Sequence, residues 1–172
     1  DGGNNWNFIM QVGTWLNSIN FLNENTGYAV GKSGMVLKTT NGGGSWQIIS
    51  MGISYNLSNI FLLNQNIIYI VGDYGNVLKT INGGLNWTIQ NVGSSNNLSG
   101  VYFQDSLIGF ASGTNGSIYK TQSGGMILPL PVLVSPPNNT NNLSVTPTLI
   151  WSEISGVINY LVQISPLSNF SS

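Results

Sequence analysis

At 172 residues, the chain has room for one ordinary domain or for one and a fraction. Only 5% of its residues are charged, against about 25% in typical domains, and the formal net charge is −1 with no histidine and no cysteine. This composition gives no electrostatic footing for nucleic acid or an anionic membrane and excludes a disulfide framework and any thiolate metal site. No apolar run reaches the roughly 18 residues of a membrane span.

Hydrophobic residues make up 41%, enough for a core, and the polar remainder is dominated by uncharged Asn, Ser, Thr and Gly. Disordered chains combine low hydrophobicity with high charge, so the composition reads as folded and all-β. The first segment, "DGGNNW" at 1–6, stands in the middle of a pattern that recurs further on. Residues 6–12, "WNFIMQV", are predicted as the last strand of a unit whose beginning lies upstream, so the chain is expected to be a segment of a longer protein.

From residue 13 one period governs the chain. Gly31 and Gly34 recur at Gly72 and Gly75 and at Gly113 and Gly116; Lys38-Thr39 recurs at Lys79-Thr80 and Lys120-Thr121. Tyr28, Tyr69 and Phe110 share a position, and every offset is 41 residues. Within the second unit, strands are predicted at 57–63, 67–71, 76–80 and 86–90, with a tight turn at Gly72–Gly75. Four short strands per unit match a β-propeller blade, whose period is about 40–45 residues, and no 3.6-residue periodicity competes. The units are a partial blade 1–12 and blades at about 13–52, 53–93 and 94–127. Three blades do not close a ring, since 4–8 is usual.

A Gly-rich turn closed by tryptophan joins the third and fourth strands: "TTNGGGSW" at 39–46 and "TINGGLNW" at 80–87, with "DGGNNW" at 1–6 as its partial copy. Asn41 and Asn82 can bond neighbouring amides, Gly43 and Gly84 can take conformations other residues resist, and Trp46 and Trp87 can fold over the bend. Asp1, Gly3 and Trp6 are their counterparts. The third copy, "KTQSGGMI" at 120–127, keeps the glycines and lacks the tryptophan, which marks a terminal blade or one whose last strand comes from elsewhere.

Thr39-x-Asn41-x-Gly43-x-Ser45-Trp46 resembles the Asp-box (BNR repeat) pattern, with Asn in place of Asp. The longer strings "GYAVGKSGMVLKTTNGGGSW" at 27–46 and "IYIVGDYGNVLKTINGGLNW" at 68–87 resemble the repeat of Ycf48-like propellers. The resemblance covers about residues 1–125. It implies a propeller fold and, for Ycf48-like proteins, assembly of a membrane complex through an arginine-rich surface; this chain has no arginine. Asp-box repeats also occur in sialidases and other glycosidases.

Composition shifts at "LPLPVLVSPPNNTNN", where four of the six prolines fall within nine residues, so 128–143 is expected to be a linker. Residues 144–172, with Trp151 and "NYLVQIS", resemble the start of a fibronectin type III-like module of bacterial secreted proteins, incomplete at this length.

Chemistry is sparse. "GYAVGKSG" misses the P-loop spacing by one residue and precedes no helix. Asp1, Glu24, Asp73, Asp105 and Glu153 are not arranged as the paired carboxylates a glycosidase uses, and lone acids fall short of a Ca²⁺ site. No catalytic residue, cofactor or metal is expected. Lys38, Lys79 and Lys120 are the one repeated cation: either a ring of contacts for an anionic ligand or, the preferred reading, alkyl stems covering the sheet with the ammonium in water. The expected role is a non-enzymatic segment of a bacterial secreted or cell-surface protein, serving as scaffold, adhesion or protein-interaction module. Protein partners or self-assembly are expected, and a glycan is the further candidate. The alternatives are an accessory part of a polysaccharide-active enzyme and a Ycf48-like assembly factor.

Overall fold

The computed structural model describes residues 2–125, 133–135 and 148–152, and the chain divides into two compact units, Asp1–Ile127 and Leu128–Ser172. The described residues are all-β. Strand β1 (Leu16–Phe21), β2 (Gly27–Gly31), β3 (Val36–Thr39) and β4 (Gln47–Ile49) form one antiparallel sheet in sequence order. Strands β5 (Leu57–Leu62), β6 (Ile68–Gly72), β7 (Asn76–Thr80) and β8 (Thr88–Asn91) form a second in the same order. The third holds β9 (Leu98–Phe103), β10 (Gly109–Gly113) and β11 (Ser117–Thr121), with β11 at its edge. These are blades of a β-propeller, and the 41-residue period survives in the pairing itself: Tyr28 faces Lys38, Tyr69 faces Lys79 and Phe110 faces Lys120.

Each second strand passes into its third through a single 3-10 turn, at Lys32–Gly34, Asp73–Gly75 and Thr114–Gly116. The glycine before each turn is required by space. At Gly72 a Cβ would stand 2.1 Å from the Asn56 carbonyl oxygen, because the first strand of the blade starts against that point.

The core lies between blades. Tyr28, Val30 and Val36 of the first pack on Leu57, Ile60, Ile68, Ile70 and Leu78 of the second, with Ile49, Met51 and Trp87 at the margin. Between the second and third, Tyr69, Val71 and Val77 meet Leu98, Phe103 and Ala111, and the Tyr69 and Phe103 rings stack at 3.4 Å. Each fully buried large aliphatic side chain contributes about 1.5–3 kcal/mol, so the junctions carry the stability. The innermost strands are tied by asparagines: Asn17 donates to the Leu57 carbonyl at 2.8 Å and Asn59 to that of Ser99 at 3.3 Å.

Residues 6–12, expected as a strand, join no ladder among the described residues, and Trp6 and Phe8 are 91% and 82% exposed. A strand is defined by its ladder, and these residues have the composition of a fourth strand without a third strand beside them among the described residues. In the second unit, part of the stretch expected as linker is a strand. Strand β12 (Leu133–Ser135) pairs antiparallel with β13 (Ile150–Trp151). Prolines at 129, 131, 136 and 137 bound an apolar run rather than interrupt it. Of residues 144–172, expected to begin a fibronectin-like module, only 148–152 are among the described residues.

Candidate interaction site

The Gly-Trp turn is held by its threonine as much as by its asparagine. Thr80 Oγ1 accepts from the amides of Asn82 (3.3 Å) and Gly84 (3.0 Å) and donates to Asn82 Oδ1 (2.9 Å), which in turn accepts from the Asn86 amide (2.9 Å). Thr39, Asn41, Gly43 and Ser45 repeat this network in the first blade. Gly83 and Gly84 carry φ of 65° and 88°, which non-glycine residues rarely adopt. Trp87 leans over the turn and donates its Nε1–H to the Gly84 carbonyl at 3.2 Å, and Trp46 meets Phe21 edge-on at 5.9 Å. Trp6 leans over Gly3 in the same way, with Gly2 and Gly3 at φ of 65° and 85°, the same turn conformation, but its ring is otherwise exposed. Asp1 lies outside the described residues.

The repeated lysines lie at the junctions between blades. Lys38 Nζ donates to the Gly83 carbonyl of the next blade at 3.0 Å, beside the Tyr28 hydroxyl, which donates to the same oxygen at 2.9 Å. Lys79 Nζ likewise reaches the Gly124 carbonyl at 3.1 Å and lies 5.4 Å from the centroid of the Tyr69 ring. Lys79 is only 7% exposed, so its ammonium is not in water as the sequence suggested, and burial pushes its pKa down. A buried ammonium is tolerable here because a carbonyl and an aromatic face replace part of its hydration. Lys120 sits over Phe110 at 5.8 Å but is exposed, with no acceptor carbonyl among the described residues. The same position therefore staples two junctions and is left open at the third blade.

A cleft of about 290 Å³ opens beside this free end, between the second and third blades, lined by Gln90, Val92, Phe103, Ala111, Tyr119 and Lys120 among others. Its origin can be read from the repeat. Ile49, Ile68 and Ile70, which fill the first junction, are replaced one period on by Gln90, Gly109 and Ala111. Lost side-chain volume leaves the hollow. Gln90 Oε1 is buried with no hydrogen-bond partner among the described residues, an acceptor in want of a donor. The β11 edge borders the cleft, and Ile118 on it is 76% exposed, whereas its counterparts Val36 and Val77 are 0% and 9% exposed.

The acids do not converge. Asp105 Oδ1 accepts from the Leu107 and Ile108 amides at 2.7 Å, bonds that hold its carboxyl below the usual range, and Asn23 and Asn64 make the same turn in the other blades. Asp73 Oδ2 accepts from the amide and Nδ2 of Asn56. Among the described residues no group of three His, Cys, Asp or Glu could hold a metal, and no helix is long and apolar enough to cross a membrane.

The fold and the site define a class: blades of a β-propeller, the third of which ends at β11 among the described residues. No family model and no curated protein matches the chain. Among solved structures it is similar to Ycf48 from Cyanidioschyzon merolae, with a TM-score of 0.61 and 23% identity over 68% of this chain and 39% of that one. Ycf48 bound to a D1 peptide is similar at a TM-score of 0.61 and 20% identity, covering 67% of this chain and 39% of that one. An ancestral GH74 enzyme is similar at a TM-score of 0.60 and 19% identity, covering 72% of this chain and 19% of that one. The chain thus spans well under half the length of each, and at these identities the likeness establishes the fold.

Gln90, Gly109, Ala111 and Ile118 were not legible as site residues. The available signal was negative: they are the positions where the apolar repeat is broken or loses its cover.

Proposed function

We propose that this chain is a non-enzymatic protein-interaction module that engages an extended segment of a protein partner along β11, with an apolar side chain of that segment entering the adjoining cleft. The observation that carries the reading is that, among the described residues, no strand pairs with the outer edge of β11 and the adjoining hollow holds a buried acceptor, Gln90 Oε1, with no partner. An added strand would supply backbone donors to the edge, and strand addition is a recurrent mode of peptide recognition. Ycf48, a fold neighbour, has been captured with a peptide, which supports a binding role for blades of this form. The place of action proposed is the outside of the cell or its surface, supported by a surface of Asn, Ser and Thr that depends little on salt. The test is a titration with a synthetic peptide copying residues 82–92, the segment that fills the equivalent place in the second blade. Chemical shifts should move in β11, Gln90 and Ala111; shifts confined to loops, or none, would contradict the reading.

A second reading, an accessory part of a polysaccharide-active enzyme, draws on the GH74 neighbour. It calls for retardation of the chain in gels containing soluble polysaccharide. The third, an assembly factor for a membrane complex, draws on the Ycf48 likeness and calls for co-purification with such a complex.

A further inference from the structure

The second blade is flanked on both sides by described blades, and one of its turns departs from the repeat in a way that packing does not explain. Among the described residues three non-glycine positions hold positive φ, and each is the middle residue of a 3-10 turn between second and third strands: Ser33 at 55°, Tyr74 at 60° and Asn115 at 59°. Asparagine favours that region and a small polar residue tolerates it, whereas a bulky aromatic there is an outlier. The Tyr74 ring gains no burial in return, being 62% exposed. Backbone strain kept without a packing gain points to a use for the side chain. We propose that the Asp73–Gly75 turn is a carbohydrate-binding tip, on which one neutral sugar ring stacks against Tyr74 and bonds through its hydroxyls to Asp73 and Asn97.

The tip is held in place in spite of its exposure. The Tyr74 amide donates to Asn97 Oδ1 of the third blade at 3.1 Å, and the Tyr74 carbonyl accepts from Asn91 Nδ2 at 2.7 Å. The Asp73 amide donates to the Asn56 carbonyl, and the Gly75 carbonyl accepts from the Val92 amide, both at 3.0 Å. A ring ordered in advance lowers the entropy that a ligand must overcome. The same bonds set two polar groups beside the ring. Asp73 Oδ2 accepts from the Asn56 amide and Nδ2 at 3.2 and 2.9 Å, while its Oδ1 takes no hydrogen bond among the described residues. Asn97 uses Oδ1 for Tyr74, and its Nδ2 has no acceptor among the described residues.

These three groups suit a saccharide. A pyranose offers an apolar C–H face to an aromatic ring, and its hydroxyls donate to a carboxylate and accept from an amide. Other partners fit less well. One exposed ring set among Ser33, Asn97 and Asn115 falls short of the apolar patch at the centre of a protein interface. Lys32 is the one cation on the three turns, too few for a nucleic acid. The other two turns serve as internal contrasts: Lys32-Ser33 and Thr114-Asn115 keep the backbone conformation but have neither ring nor acid, so only the second blade carries the full set. The site goes beyond the engagement of a peptide along β11 and does not depend on it.

The test is a titration of the full chain with cellohexaose, mannohexaose and xylohexaose, read by amide chemical shifts. Each sugar is taken to about 10 mM, because a site for a single ring binds in the millimolar range. The expected result is a saturable shift at Asp73, Tyr74, Asn91 and Asn97 with at least one of the three, and none in β11. Tyr74→Asn, the residue type the third blade has at this position, should weaken binding by about tenfold or more. Its Tm should be unchanged or raised, since strain is relieved and little packing is lost. Tyr74→Phe keeps the ring face and should retain most of the affinity. No shift with any of the three sugars, shifts lying elsewhere, or undiminished binding by Tyr74→Asn would overturn the proposal. So would a fall in Tm for Tyr74→Asn, which would make the ring structural. A response of these amides to the 82–92 peptide and to no sugar would overturn it too, and would assign the tip to a protein partner.

Discussion

Replacing Thr80 with valine isolates the hydroxyl that organises the second Gly-Trp turn. The side chain is 1% exposed and valine keeps its shape, so packing is preserved while three hydrogen bonds at 2.9, 3.0 and 3.3 Å are lost. Gly84 is buried, and its amide would be left without a partner, a penalty of about 1–3 kcal/mol, with about 0.5–1.5 kcal/mol more for each neighbouring bond. Allowing for the better burial of a methyl group, the net cost is about 2–3 kcal/mol. Unfolding entropy of about 2.1 cal/mol/K per residue converts this to a fall in Tm of about 8–12 °C for an array of this length. Thr80→Ser, which keeps the hydroxyl and loses only a methyl, should cost about 1 kcal/mol. Thr39→Val should fall between the two, because Gly43 is only half-buried. Thermal and urea unfolding followed by tryptophan fluorescence would measure all three. If Thr80→Val were as mild as Thr80→Ser, the hydroxyl would not be organising the turn.

Three further outcomes follow from particular contacts. Gly72→Ala drives a Cβ toward the Asn56 carbonyl and should sharply lower the folded yield in expression trials, whereas Gly13→Ala meets nothing and should leave Tm unchanged or slightly raised. Trp87→Ala removes a half-buried ring from the first junction and should cost about 2–3 kcal/mol by urea titration; Trp6→Ala should cost almost nothing in the monomer. Burial, reinforced by the Asp105 charge, raises the Tyr69 pKa to about 12 from an ordinary 10.0. The unfolded chain therefore loses this proton first as pH rises, and the associated stability is present below about pH 10 and lost progressively toward pH 12. In Tyr69→Phe, a change the third blade already makes at Phe110, the fall in Tm between pH 9 and 12 should be shallower, as scanning calorimetry at fixed ionic strength would show.

The blades were legible because their determinants are local. The turn glycines and the recurrence of "NVLKT" one period after "MVLKT" placed β7 at 76–80, as observed. The partners of Lys38 and Lys79 were not legible, since each Nζ bonds a carbonyl 45 residues further on, across a junction that only the packed array creates. "WNFIMQV" has strand composition, but a strand exists through a neighbour, and its composition could not say where that neighbour lay. The cleft was written in the replacement of Ile68 and Ile70 by Gly109 and Ala111. As sequence this reads as loosened repetition; only the interleaved sheets turn lost side-chain volume into a site.

Amide hydrogen exchange compared across the three third strands tests the receptor edge most directly. Strands β3 and β7, each flanked by a fourth strand, should be protected throughout. The edge-facing amides of β11 should exchange rapidly in the dilute chain and slow by an order of magnitude or more when the 82–92 peptide is added. Fast exchange in β11 that the peptide leaves unchanged would contradict the account, and so would full protection of β11 in the dilute monomer.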